Sequence, residues 1–95
     1  MKDLIIDILK FRDERNWKDF HTPDNLAKSI IIEASELLEN FQWGTQWADE
    51  TNIKEELADI MIYALMMCDH YGFDVKTIIR DKMVKNGIKY PKTNR

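Results

Sequence analysis

Glu56-Leu57-Ala58-Asp59-Ile60-Met61-Ile62-Tyr63-Ala64-Leu65-Met66-Met67-Cys68 is the stretch on which the reading of this chain turns. Past its first turn it is apolar almost all round, as befits a helix buried on several sides. Asp49, Thr51 and Asn52 offer caps at its start, and it runs to about His70 before Gly72 ends it. At 1.5 Å per residue such a helix is roughly 30 Å long, enough to span a small domain. Glu56, Ile60, Tyr63 and Met67 lie along one stripe of it, so Glu56 heads a face that points inward. Asp59 sits three residues on, a neighbour of Glu56 on the helix surface.

Upstream the same device recurs as Glu33-Ala34-Ser35-Glu36. Leu26, Ile30, Glu33 and Leu37 fall at i, i+4, i+7 and i+11, which places Glu33 in the middle of an apolar stripe. Thr22 is a plausible N-cap with Pro23 at the first helical position, and this helix runs to about Phe41. A lone acid pair at this spacing is common on solvated faces. Two pairs, each on the apolar side of its own helix and joined by one link, ask for a different explanation. Buried carboxylates are normally paired or bound to a metal, so four facing acids need a cation. With no cysteine and no histidine at ligand spacing, these hard oxygen donors suit Mg²⁺, with Mn²⁺ as a substitute. A di-iron bundle would show Glu-x-x-His, but Lys18 and Met67 stand three residues before His21 and His70.

The remaining segments give a short amphipathic helix over roughly the first fifteen residues, carrying Leu4, Ile5, Ile8 and Leu9, then an aperiodic aromatic stretch from Asn16 to His21. Gln42 to Trp47 breaks the pattern between the acid pairs, with Gly44 as the expected helix stop. Asp74 caps a fourth helix through Val75, Ile78, Ile79, Met83 and Ile88, which Tyr90-Pro91 closes, and Lys92 to Arg95 reads as a frayed tail. The expected architecture is an all-α bundle of three long helices plus a short N-terminal one, a single domain over residues 1–95. A third helix so apolar in a chain this small points to completion by oligomerisation.

Composition agrees. Apolar residues make up 44% and charged residues 33%, a globular balance, and three glycines with two prolines favour long helices over many short strands. The net charge of −3 and the lack of a basic tract argue against a nucleic-acid polymer as partner. Asp3 and Asp7 interrupt the N-terminal apolar run, so neither a signal peptide nor a membrane span is expected, and a cytoplasmic location follows. Cys68, lying among Met66, Met67 and Tyr71, reads as packing.

If the cation carries phosphate, protein cations and stacking groups should accompany it. Lys82, Asn86 and Lys89 share one face of the fourth helix, although that spacing equally describes a solvated polar face. Trp17, Phe20, His21, Trp43 and Trp47 lie in the links at either end of the second helix, where they could be core plugs or base-stacking platforms.

The ordered set of residues resembles a known family. Glu-x-x-Glu, a link of about twenty residues and Glu-x-x-Asp are similar to the metal motif of the MazG-like nucleotide pyrophosphohydrolases. Glu14-Arg15-Asn16-Trp17, Phe20-His21-Thr22-Pro23, Asn25-Leu26, Phe41-Gln42-Trp43, Tyr63, Lys82-Met83, Asn86 and Lys89-Tyr90-Pro91 extend the likeness to the dCTP pyrophosphatase branch, over roughly residues 11–91. The resemblance implies Mg²⁺-dependent hydrolysis of a nucleoside triphosphate, dCTP or a related dNTP, between its α and β phosphates, as nucleotide-pool house-cleaning. It implies Glu33, Glu36, Glu56 and Asp59 as the metal-binding and catalytic acids. Lys82 and Asn86 would contact phosphates with Tyr63 nearby, and Trp17, His21 and Trp43 would line the base and sugar pocket. It also implies all-α dimers, commonly paired into tetramers. One departure stands out: relatives in this branch can carry a base-recognising histidine in the first helix, where this chain has Ile8.

Two other readings compete with this one. A non-catalytic helical oligomerisation or adaptor module would keep the acids as a vestigial site, with no response to Mg²⁺. A phosphoribosyl-ATP pyrophosphatase would share the fold and differ in substrate.

Overall fold

The computed structural model describes residues 1–93, so the last two residues of the expected tail lie outside the described residues. Four α-helices and no strand are found among them: α1 (Lys2–Glu14), α2 (Pro23–Glu39), α3 (Glu50–Tyr71) and α4 (Val75–Lys89), with 3₁₀ turns at Lys18–Phe20 and Thr45–Trp47. The all-α architecture read from the sequence is the one observed. Among the described residues no helix is long and apolar enough to cross a membrane.

Helix ends follow local chemistry. Asp49 caps α3 by accepting from the Thr51 amide at 3.0 Å, and Asp74 caps α4 by accepting from the Thr77 amide at 3.1 Å. Gly72, at φ 68°, closes α3 in the left-handed conformation, with its amide on the Asp69 carbonyl and the Phe73 amide on Cys68. Thr22 occupies the N-cap position of α2, as expected, but its hydroxyl donates to Asp24 Oδ1 at 2.6 Å instead of capping the backbone. Helix α2 also stops before Gly44: it ends at Glu39, and Gly44 sits in the link at φ 115°. A side chain there would meet Gln46 at 2.6 Å as well as a disfavoured backbone.

The antiparallel pairing of α2 and α3 is the spine of the molecule, and its register is regular. Leu26 and Met66 share the core; Glu33 and Asp59 converge; Asn40 and Asn52 are hydrogen-bonded. Each step is seven residues forward on α2 and seven back on α3, about 10 Å of helix. The hairpin is therefore layered, with an apolar layer, an acidic layer and an amide layer in sequence. Seven-residue spacing on both partners is the mark of near-antiparallel ridges-into-grooves packing.

Helix α1 adds Ile8 to the core, which Leu26 and Met66 complete and Ile62, Tyr63, Leu65 and Met67 surround. Helix α4 behaves differently. Only Val75 of its fifteen residues is even half-buried, and Met83, Val84 and Ile88 are exposed to 65%, 65% and 77%. The Cα radius of gyration, 16.3 Å, exceeds the roughly 12 Å of a compact domain of this length. The chain folded on itself leaves the apolar side chains of α4 uncovered.

Candidate active site

The acidic layer forms where α2 and α3 lie side by side. One carboxylate oxygen from each of Glu33, Glu56 and Asp59 lies within 4.8 Å of the others. Glu56 is buried, and its Oε2 has no hydrogen-bond partner, an orphaned acceptor in a place where such groups are costly. Glu33 is pushed up to about 7, first by the Glu56 carboxylate beside it, then by partial desolvation and by the neighbouring Glu36 and Asp59. Glu36 is exposed and stands beside Glu33 at the rim of this layer, outside the converging triad. Near neutral pH Glu33 is therefore still partly protonated, in a position that a cation would satisfy better. Hard oxygen donors, an orphaned buried oxygen and mutual repulsion together fit a divalent ion.

Beside the acids lies an aromatic cavity. A space of about 450 Å³ is lined by Ile8, Phe11, Trp17, His21, Tyr63 and Asp59, among others, within the size range of small-molecule sites. Its rings meet edge to face in a row: Phe11 to Trp17 at 5.8 Å, Trp17 to His21 at 6.0 Å and His21 to Tyr63 at 6.1 Å between centroids. The row is built by the turn after α1. Asn16 takes φ 56°, the Trp17 amide bonds back to the Arg12 carbonyl, and Asn25 Nδ2 donates to the Phe20 carbonyl at 2.9 Å, tying the turn to α2. Arg15 stacks on the far side, its guanidinium carbon 3.4 Å from the Phe11 centroid.

Electrostatics joins the two parts. Burial raises the Tyr63 pKa, and the charges of Glu33, Asp59 and Glu36 raise it further, so the phenol keeps its proton and remains a donor beside the acids. His21 is lowered by burial and by the Arg12 guanidinium, which favours a neutral ring. Its Nδ1 is buried without a partner.

The expected site residues thus divide. Glu33, Glu56, Asp59, Tyr63, His21 and Trp17 come together, with Glu36 at the edge. Trp43 lies on the α2–α3 link, 75% exposed and outside the lining of the aromatic cavity. Lys82 and Asn86 sit on exposed α4. The aromatic cluster expected across both links is therefore one row at the α1–α2 end, and Trp43 and Trp47 stand apart from it. Sequence reasoning missed Asn40 and Asn52, whose amides connect to Glu56. Asn52 precedes Glu56 by four residues, a readable signal; the pairing of Asn40 with Asn52 has none.

A model of the MazG-like family matches residues 28–95. The chain belongs to the MazG-like family. Its fold agrees with that of a solved structure: the crystal structure of a pyrophosphatase from Archaeoglobus fulgidus superposes with a TM-score of 0.91 at 41% identity, covering 97% of this chain and 93% of the other. Among curated proteins, dCTP pyrophosphatase 1 of Homo sapiens is 33% identical over 91 residues and that of Bos taurus 35%. In both cases the match covers 86% of this chain and 54% of the relative. The chain thus spans about half the length of the curated relatives it matches.

Proposed function

We propose that this MazG-like chain hydrolyses a nucleoside triphosphate, dCTP or a related dNTP, between its α and β phosphates, releasing the monophosphate and pyrophosphate. The observation that carries the reading is that Asp59 belongs at once to the aromatic cavity and to the acidic triad, with the cavity residue Tyr63 in the field of the same acids, so one ligand can reach both. The names of the relatives, dCTP pyrophosphatase and pyrophosphatase, support the same reaction. Trp17 and His21 would hold the base, Tyr63 would donate to a phosphate oxygen, and a carboxylate of the cluster would take the proton of the attacking water. Glu33, Glu56 and Asp59, with Glu36, would hold Mg²⁺, for which Mn²⁺ could substitute. Such an ion, when bound, neutralises phosphate charge and acidifies water. In the cytoplasm the reaction would clean the nucleotide pool.

Pyrophosphate release from a panel of NTPs and dNTPs, with Mg²⁺ and with EDTA, tests this directly. Mg²⁺-dependent pyrophosphate with a matching monophosphate is expected. Orthophosphate would mean that another bond is cut, and no turnover on any substrate would favour the adaptor reading. Ile8, 9% exposed in the cavity wall, offers a base no hydrogen bond. Ile8→His adds a donor there, and is expected to change the ratio of kcat/KM between cytosine and thymine nucleotides by roughly tenfold, the scale of one added polar contact.

Uncovered α4 supports a homo-oligomer, a dimer or more readily a pair of dimers. Lys82, Asn86 and Trp43 would then reach the pocket of another copy. Val84 and Ile88 are one turn apart and both exposed. Val84→Asp with Ile88→Asp is expected to convert the particle to monomers in light scattering and to reduce activity sharply. A wild-type chain that is monomeric at micromolar concentration would remove this part of the proposal.

A further inference from the structure

We propose that Asn52, oriented by Asn40, is a positioning residue that sets how the Glu56 carboxylate is presented to a divalent ion; the inference rests on the metal-site reading above. The amide layer below the acids is a directed chain. The Asp49 backbone N–H donates to Asn40 Oδ1 at 3.3 Å, Asn40 Nδ2 donates to Asn52 Oδ1 at 2.7 Å, and Asn52 Nδ2 donates to Glu56 Oε1 at 3.5 Å.

Its direction is set at one end. A backbone N–H can only donate, so Asn40 must turn its oxygen toward Asp49 and its NH₂ toward Asn52. Asn52 must then accept with its oxygen, which leaves only its NH₂ to face Glu56. Neither amide can flip without breaking a contact. The chain therefore delivers a donor to one oxygen of a buried carboxylate and leaves Oε2, which has no protein partner, for an ion. The last contact is long, at the outer edge of hydrogen bonding, so the role is orientation more than strength.

Positioning of this kind acts on ion affinity, where removing an outer partner of a ligand typically costs ten- to a hundredfold. The full chain carrying Asn52→Ala is expected to bind Mn²⁺ about tenfold more weakly in a calorimetric titration with the metal alone. Asn40→Ala keeps Asn52 but frees it to turn, and is expected to weaken Mn²⁺ binding by a smaller factor; it also covers the case in which Asn52→Ala does not fold. The melting temperature in EDTA separates the roles, since a purely structural amide layer lowers it and leaves the Mn²⁺ dissociation constant alone. An unchanged dissociation constant in both variants, with wild type binding normally, overturns the positioning role and leaves the metal site intact. A wild-type chain that binds neither Mn²⁺ nor Mg²⁺ overturns the metal-site reading and this inference with it.

Discussion

Replacing Asp59 by asparagine is expected to cut Mg²⁺-dependent pyrophosphate release by about a thousandfold while leaving the helical content unchanged. The substitution keeps the shape of the side chain and removes its charge, so α3 has no packing reason to unfold. What is lost is a carboxylate of the triad that also lines the nucleotide-sized cavity. An ion that stabilises phosphate charge contributes several kcal/mol to the transition state. Losing about 4 kcal/mol of that at 1.36 kcal/mol per decade gives the expected factor. Glu36→Gln is expected to act in the same direction from the rim. Circular dichroism of both variants guards against misfolding, and full turnover by Asp59→Asn would remove the acids from the metal assignment.

The second large effect is on stability, and its sign follows from Glu33. Its folded pKa, about 7, lies above its ordinary value of 4.5, so the folded state holds a proton that the unfolded chain releases earlier. Below the ordinary value both states are protonated. Between 4.5 and about 7 the folded state is progressively disfavoured, and above that the full disadvantage of an extra buried-layer charge applies. In EDTA the melting temperature is therefore expected to fall from pH 5 to pH 8, and Glu33→Gln is expected to flatten that slope and to melt higher than wild type at pH 8. Excess Mg²⁺ reverses the penalty. At a hundred times its dissociation constant a ligand adds about 2.7 kcal/mol. For a chain of this size that raises the melting temperature by about 10 °C or more. The scan is run at one protein concentration. A flat response to Mg²⁺, with an equal rise in sodium chloride, would mean that the acids feel only general screening.

How far the sequence carried the fold and the site depends on the kind of contact involved. Glu33 and Glu56 were legible because each lies on a 3.6-residue stripe of apolar neighbours, where a charge has few explanations, and Asp59 because it stands three residues past Glu56. The helices themselves were marked by Asp49, Asp74 and Gly72. The α2 boundary was misplaced by two residues because Gly44 looked like a stop, whereas its φ of 115° belongs to the link. The Asn40–Asn52 bond was invisible, since two isolated asparagines twelve positions apart carry no periodic signal. For Trp43, Lys82 and Asn86 the pattern left a core plug or a solvated face open, and only the resemblance gave them a role. In the folded chain they stand on the link and on exposed α4, outside both the acidic triad and the lining of the aromatic cavity.

The seven-residue layering of α2 against α3 has a consequence for how this site can change over time. Its acidic layer is clamped from both sides, by Leu26 and Met66 on one and by Asn40 and Asn52 on the other. The register of the acids is thus held without reference to the segment that joins the two helices. Doubling the length of a flexible loop costs only about 0.6 kcal/mol. Residues between Asn40 and Asp49 can therefore be inserted, deleted or exchanged wholesale while the carboxylates stay in place. The link and the acids become separately evolvable: the surface segment can be rewritten, and the hairpin beneath it inherited unchanged.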